Sequence, residues 1–283
     1  MRVKINECPR DAIQGIKNFI PTSKKIDFYN CLLEVGFDII DIGSFVSPKI
    51  VPQMKDTGNV LDGINMDKTF SKLLVVIANY TGALNAVDYD NVSFLGYPFS
   101  ISNVFQKKNT NKTIYDSIKD VEVIKNLCIQ KDKNLIIYLS MAFGNPYKED
   151  YNLDIVNHWI CQLSKIGVNK IMISDTIGVA SDSSISMLFK HVIKEFEKIE
   201  FGAHLHSNKS SVLSKINSAF NEGCMNFDSV IKGYGGCPMA QDNMIGNIET
   251  EKLVNFLVEN KIKTNINFTK FKKAVNLSTD FYN

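Results

Sequence analysis

KIMISDTIGVASDSSISMLFKHVIKEFEKIEFGAHLHS, residues 170–207, decides the fold. It opens on a short run, 170–176, that is apolar at both parities, as a strand covered on both faces should be. Apolar residues at helical spacing follow over 181–197, with Asp182 as the expected capping residue at the start. A second compact apolar run, 201–207, ends the unit. Strand, helix and strand in this order lie as a parallel pair joined by a crossover.

The same alternation continues on both sides. Further strands are expected at 3–8, 38–44, 72–79, 91–97, 134–141 and 227–232. Helices are expected at 23–35, 112–132, 150–167, 209–222 and 248–260, the last capped by Thr250. Eight strands in 283 residues suit a single (β/α)8 TIM barrel spanning 1–283, which needs about 250 residues. The stretch after about residue 262 reads as a polar turn and one short helix. An open doubly wound sheet competes, but it usually carries a glycine-rich phosphate turn after its first strand. Here that strand runs into CPRDAIQG, residues 8–15, which has no GxGxxG spacing.

Composition narrows the function classes. The chain is 45% hydrophobic and 22% charged, enough for a large core. Its 32 basic and 30 acidic residues leave a net charge of +2, which gives nucleic-acid binding no support. The first residues enter a strand pattern at once, so no signal or transit peptide is expected. No apolar run is long enough to span a bilayer. The six cysteines are scattered without a CxxC pair, so free thiols in the cytoplasm are expected.

In a TIM barrel the chemistry sits at the C-terminal ends of the strands. His204 and His206 stand there at i and i+2, so on a strand they share a face with alpha carbons about 6.6 Å apart. That spacing suits two ligands on one metal; the bland alternative is two polar residues alternating on a surface strand. Asp11 can add a carboxylate and Asn247 an amide oxygen. Such a donor set suits Mg²⁺ or Mn²⁺, with Zn²⁺ or Co²⁺ as alternatives. Cys237 lies in a Gly-Gly-Cys-Pro turn, a poor place to bury a thiol. Asp41 and Asp175 are equally readable as catalytic groups or as ordinary partners, and Glu7 as an acceptor for Arg10.

Taken in order, the segments NECPRDAIQ (6–14), GSFVSPKIVPQMKDT (43–57), FQKKNTNKT (105–113), SDTIGVA (174–180), HLH (204–206) and GGCPMAQDNMIGNIETEKLV (235–254) resemble the 3-hydroxy-3-methylglutaryl-CoA lyase family of the DRE-TIM metallolyases. The resemblance implies retro-Claisen cleavage of an acyl-CoA, as in leucine breakdown or ketone-body formation, and a homodimer. It implies Asp11, His204, His206 and Asn247 as ligands of a divalent metal. Arg10 would polarise the thioester carbonyl and Cys237 would help protonate the carbanion. Asp41, where the family has glutamate, and Asp175 would stand with these catalytic groups. Gln14, Lys17, Thr176, Lys107, Lys108 and Asn109 would contact the substrate.

Four departures stand out. Asp41 is one methylene shorter than glutamate. Ser207-Asn208 follows the histidine pair in place of Asp-Thr, Met172 replaces a small polar residue, and the loop from Cys237 to Asn247 is one residue longer. Other acyl-CoA or 2-oxo-acid enzymes of the superfamily remain open, whether lyase, aldolase or Claisen-type synthase. So does a catalytically silent metal-binding barrel.

Overall fold

The computed structural model describes residues 2–67, 69–236 and 245–282. Eight parallel strands form a closed barrel: β1 Lys4–Glu7, β2 Ile39–Ser44, β3 Lys72–Val76, β4 Val92–Ser100, β5 Asn134–Ser140, β6 Lys170–Ser174, β7 Glu200–His204 and β8 Asn226–Ser229. Each pairs with its neighbour in sequence. β8 returns to β1 with Lys4 opposite Asn226 and Glu7 opposite Ser229. The (β/α)8 barrel expected from the alternation is therefore the fold.

Most expected strands overrun at their C-terminal ends, where the chain leaves the ladder to carry polar groups into loops. β4 does the reverse and runs past Tyr97 to Ser100 through Pro98. β3 has ended by then, its last partner being Gly96, so the missing N–H of Pro98 faces no neighbour on that side.

The helices follow the apolar spacing. Leu153–Lys165 buries Val156, Trp159, Ile160 and Leu163, one stripe of a 3.6-residue repeat, and Asn152 caps it by accepting from the Ile155 N–H at 2.9 Å. Two expected caps lie one residue off. Ser181, not Asp182, caps its helix through a reciprocal pair with Ser184. Glu249 stands at the cap position expected for Thr250, whose hydroxyl is drawn inward to Glu7 and Ser229. The C-terminal helix is also longer than expected, Phe268–Tyr282. It docks on Thr22–Leu33, with Phe281 stacked on Phe28 at 4.3 Å between centroids. Among the described residues no helix is long and apolar enough to cross a membrane.

Alternation along the strands layers the barrel interior. Ile39, Leu74, Ile136 and Met172 form an apolar plug. Two residues further along the same strands stand Asp41, Val76, Tyr138 and Ser174. At the opposite end Glu200 pairs with Lys4 at 2.7 Å and Lys170 at 2.5 Å. Met172 is thus a floor for the polar layer, and Gly202 makes room for it. A Cβ at Gly202 would lie 2.4 Å from Met172 Sδ and 3.0 Å from the Asn226 carbonyl oxygen. Gly202→Ala should therefore destabilise the protein by about 1–3 kcal/mol in denaturant unfolding. Shortening the opposing side chain with Met172→Val should recover part of that loss.

Glu7 is not the acceptor for Arg10 that its position suggested. As the last residue of β1 it faces the outer layer, where it accepts from the Ile231 N–H at 2.7 Å and meets the Thr250 hydroxyl at 2.7 Å. Burial pushes its pKa up from 4.5 to about 8, against the pull of these two hydrogen bonds. Glu7 Oε2 accepts from the Thr250 hydroxyl, which also lies 2.9 Å from Ser229 Oγ, and Ser229 Oγ donates to the Asn6 carbonyl at 3.4 Å. The folded state thus holds a proton that the unfolded chain releases above its ordinary pKa. The stabilisation is complete below pH 4.5 and is lost as pH rises through about 8. Relative to Glu7→Gln, the unmodified protein should lose on the order of 4 kcal/mol across that window, measurable by urea unfolding at a series of pH values.

Candidate metal centre at the mouth of the barrel

Three ligand atoms, one each from Asp11, His204 and His206, lie within 4.8 Å of one another. His204 ends β7, and His206 follows in a two-residue strand, His206–Ser207, that pairs antiparallel with Gly246–Asn247. Asp11 comes from the short helix Pro9–Ile13 directly after β1. All three are buried and line a cavity of about 340 Å³ at the C-terminal ends of the strands.

The hydrogen bonds fix how each imidazole presents itself. His204 Nδ1 is 2.9 Å from Asp228 Oδ2 and His206 Nδ1 is 3.1 Å from the Thr176 carbonyl oxygen. Both partners can only accept, Asp228 as a carboxylate, so each Nδ1 carries the proton and each Nε2 keeps a lone pair. His206 Nε2 is buried without any hydrogen-bond partner, which in a pocket this polar is the mark of a coordinating atom. Burial and the neighbouring His204 lower the His206 pKa. Burial pulls His204 the same way, but Asp228 and then Asp11 outweigh it and raise the pKa. Burial works against the Asp11 carboxylate, yet Arg10, the two histidines and Asn247 hold it below its usual range. The donor set therefore fits a divalent cation.

Arg10 lies beside this cluster. Its Nε and Nη2 donate to Asp41 Oδ2 at 2.9 and 2.5 Å, and its Nη1 donates to Asp11 Oδ1 at 3.2 Å and Gln14 Oε1 at 3.1 Å. Gln14 donates back to Asp11 at 2.9 Å. Asn247 Nδ2 donates to Asp11 Oδ2 at 2.8 Å and to the Tyr234 carbonyl at 2.9 Å. Gly235 brings that loop in: with φ +80, a Cβ there would sit 2.7 Å from Ala12 Cα and 2.9 Å from the Asp11 carbonyl oxygen.

The other expected residues divide. Gln14, Thr176, Lys108 and Asn109 line the cavity with Arg10, whereas Lys17 and Lys107 are exposed and outside its lining. Asp41 and Asp175 also stand behind the lining. Asp41 is buried against Arg10, and Asp175 is bound by Lys215 and the Ala180 N–H. Cys237 lies outside the described residues. Sequence reading passed over Asp228 and Tyr138, whose ring meets His204 edge-on at 5.5 Å. Asp228 does have a signal, a carboxylate beside Phe227 inside the strand expected at 227–232. With Ser207-Asn208 in place of Asp-Thr after the histidine pair, the His206 ring is held by the Thr176 carbonyl.

A parallel (β/α)8 barrel whose mouth gathers two imidazoles and a carboxylate, with an arginine beside them, has the donor set of a divalent-metal-binding TIM barrel. More narrowly, the chain belongs to the HMGL-like family, whose model matches residues 3–277. It is 30% identical over 276 residues to hydroxymethylglutaryl-CoA lyase of Bacillus subtilis, covering 96% of this chain and 91% of that protein. To the mitochondrial hydroxymethylglutaryl-CoA lyase of Bos taurus it is 33% identical, over 96% of this chain and 83% of the relative. The structure of an HMG-CoA lyase from Acinetobacter baumannii with coenzyme A and 3-methylmalate superposes with a TM-score of 0.90 at 29% identity, covering 99% of this chain and 91% of that one.

Asp228→Ala frees His204 to rotate and change tautomer. Titration with Mn²⁺ should show about 10- to 100-fold weaker binding than in the unmodified protein, with the barrel still folded by circular dichroism.

Proposed function

We propose that the chain is a hydroxymethylglutaryl-CoA lyase, cleaving 3-hydroxy-3-methylglutaryl-CoA to acetyl-CoA and acetoacetate in a divalent-metal-dependent reaction. The observation that carries this reading is the convergence of Arg10, Asp11, His204 and His206 on one cavity at the barrel mouth. The names of relatives that align along nearly the whole chain support it.

We assign Asp11, His204, His206 and Asn247 as the residues that hold the metal; with Asn247 Nδ2 turned to Asp11, its amide oxygen is the donor left. A divalent cation held there, Mg²⁺ or Mn²⁺ by this mixed donor set, would make the substrate's C3 hydroxyl more acidic. Asp11 is the only carboxylate among the described cavity-lining residues, and we assign it the hydroxyl proton. The bond between C2 and C3 then breaks. C3 becomes the carbonyl of acetoacetate, and the electron pair passes to the enolate of the thioester.

Arg10 supplies positive charge where that enolate oxygen forms. Asp41, Asp11 and Gln14 hold its guanidinium on both edges, so no reorganisation is needed as charge develops. Burial raises Asp41 to about 6, against the pull of Arg10, which still leaves it largely ionised at neutral pH. We therefore assign Asp41 to holding Arg10 and Asp175 to shaping the cavity wall, rather than to touching substrate. Cys237 is the proposed proton donor to C2. Gly236 and Ile245, the described ends of its loop, meet beside this site, where a Cβ at Gly236 would be 2.8 Å from the Ile245 carbonyl oxygen. Gln14 and Thr176 would contact the acyl group, and Lys108 and Asn109 on the cavity wall would meet the CoA phosphates. The five described cysteines are all free thiols, in keeping with a cytoplasmic location.

The test is release of acetoacetate from 3-hydroxy-3-methylglutaryl-CoA, measured with and without Mg²⁺ or Mn²⁺. Metal-dependent release is expected, with kcat lower by about 10²- to 10³-fold in Arg10→Met. No release from a metal-loaded protein would sink this substrate assignment.

A further inference from the structure

The helix Val212–Asn221 buries Val212, Lys215, Ile216 and Ala219, so a lysine stands within its apolar stripe. At 4% exposure that ammonium is expensive to bury unless it is well bound. It is bound twice. Lys215 Nζ donates to Asp175 Oδ2 at 2.7 Å and to the His206 carbonyl oxygen at 2.7 Å. The other oxygen of Asp175 accepts from the Ala180 N–H at 3.1 Å. Asp175 also donates its own N–H to the His204 carbonyl at 3.0 Å. The next residue, Thr176, offers the carbonyl that holds the His206 ring.

These contacts close a ring. It runs from Lys215 to the His206 main chain, through the imidazole to Thr176, and back through Asp175 to Lys215. We propose that Lys215 is a positioning residue for the cation. A single ammonium fixes both the backbone of His206 and the turn whose carbonyl orients its ring. His206 Nε2 is thereby held where Asp11 and His204 also converge. The proposal rests on the cation site described above. It also accounts for Asp175 standing behind the cavity wall.

Removing only the lysine would leave Asp175 as a buried unpaired charge and endanger folding. The test therefore uses two paired variants of the full chain, Asp175→Asn/Lys215→Met and Asp175→Asn/Lys215→Gln. Each is titrated with Mn²⁺ alone, well below its melting temperature. The methionine variant cannot donate to His206 and should bind Mn²⁺ about 10- to 100-fold more weakly than the unmodified chain. The glutamine variant keeps an amide donor and should recover most of that affinity. A methionine variant with a lower melting temperature but unchanged Mn²⁺ affinity would reduce Lys215 to a packing role and overturn the proposal. Equal losses in both variants would overturn it too, because the donor to His206 would then be irrelevant. If the unmodified chain bound no Mn²⁺, the cation site itself would fall and take this proposal with it.

Discussion

The pairing of β1 with β8 is the constraint on which the rest depends. In an open sheet these would be distant edges. Closed, with Lys4 opposite Asn226 and Glu7 opposite Ser229, the barrel brings the segment after the first strand against the segment after the last. Asn247 can then donate to Asp11 across a separation of 236 residues. The same closure sets Asp11 beside His204, which ends β7, and His206, which follows it. Arg10 and Asp11 follow β1, Thr176 follows β6, His204 ends β7 and Asn247 lies beyond β8, so no single segment holds the whole site.

Closure also creates an interior that must be filled, and it is filled in layers of different polarity. Ile39, Leu74, Ile136 and Met172 make a dry floor. On the β8 side a polar column passes that floor. His204 meets Asp228, Asn6 donates to Asp228 at 2.8 Å and to Asn226 at 2.9 Å, and Asn226 donates to Glu200 at 3.3 Å. Glu200 in turn is held by Lys4 and Lys170. Buried polar groups are tolerable when they bind each other in this way, and a chain of them is rigid. The site is therefore anchored to the barrel body rather than carried on loops alone.

Legibility in the sequence tracked how local each interaction is. The histidine pair could be read because two residues at i and i+2 on a strand share a face whatever surrounds them. Asp11 and Asn247 could be offered as oxygen donors from their places after the first and last strands, and the ordered set of segments that carries the family resemblance gave Arg10 its role. Asp41 and Asp175 were ambiguous for a physical reason. A carboxylate facing substrate and one holding a neighbouring cation look alike in sequence, and here Arg10 and Lys215 took them. Lys17 and Lys107 were near the right segments but outside the cavity, because helices and turns send adjacent side chains in different directions.

By itself the sequence determined the strand–helix alternation, the count of eight and the apolar faces that bury against each other. These are consequences of periodicity and burial, which short windows express. Only the tertiary structure decided which polar residues meet. It paired Asp228 with His204, turned the Thr176 carbonyl to His206, and placed Lys215 under Asp175. Those choices depend on strand register and on which neighbour relieves each buried charge. Both are properties of the closed barrel, and no single segment contains them.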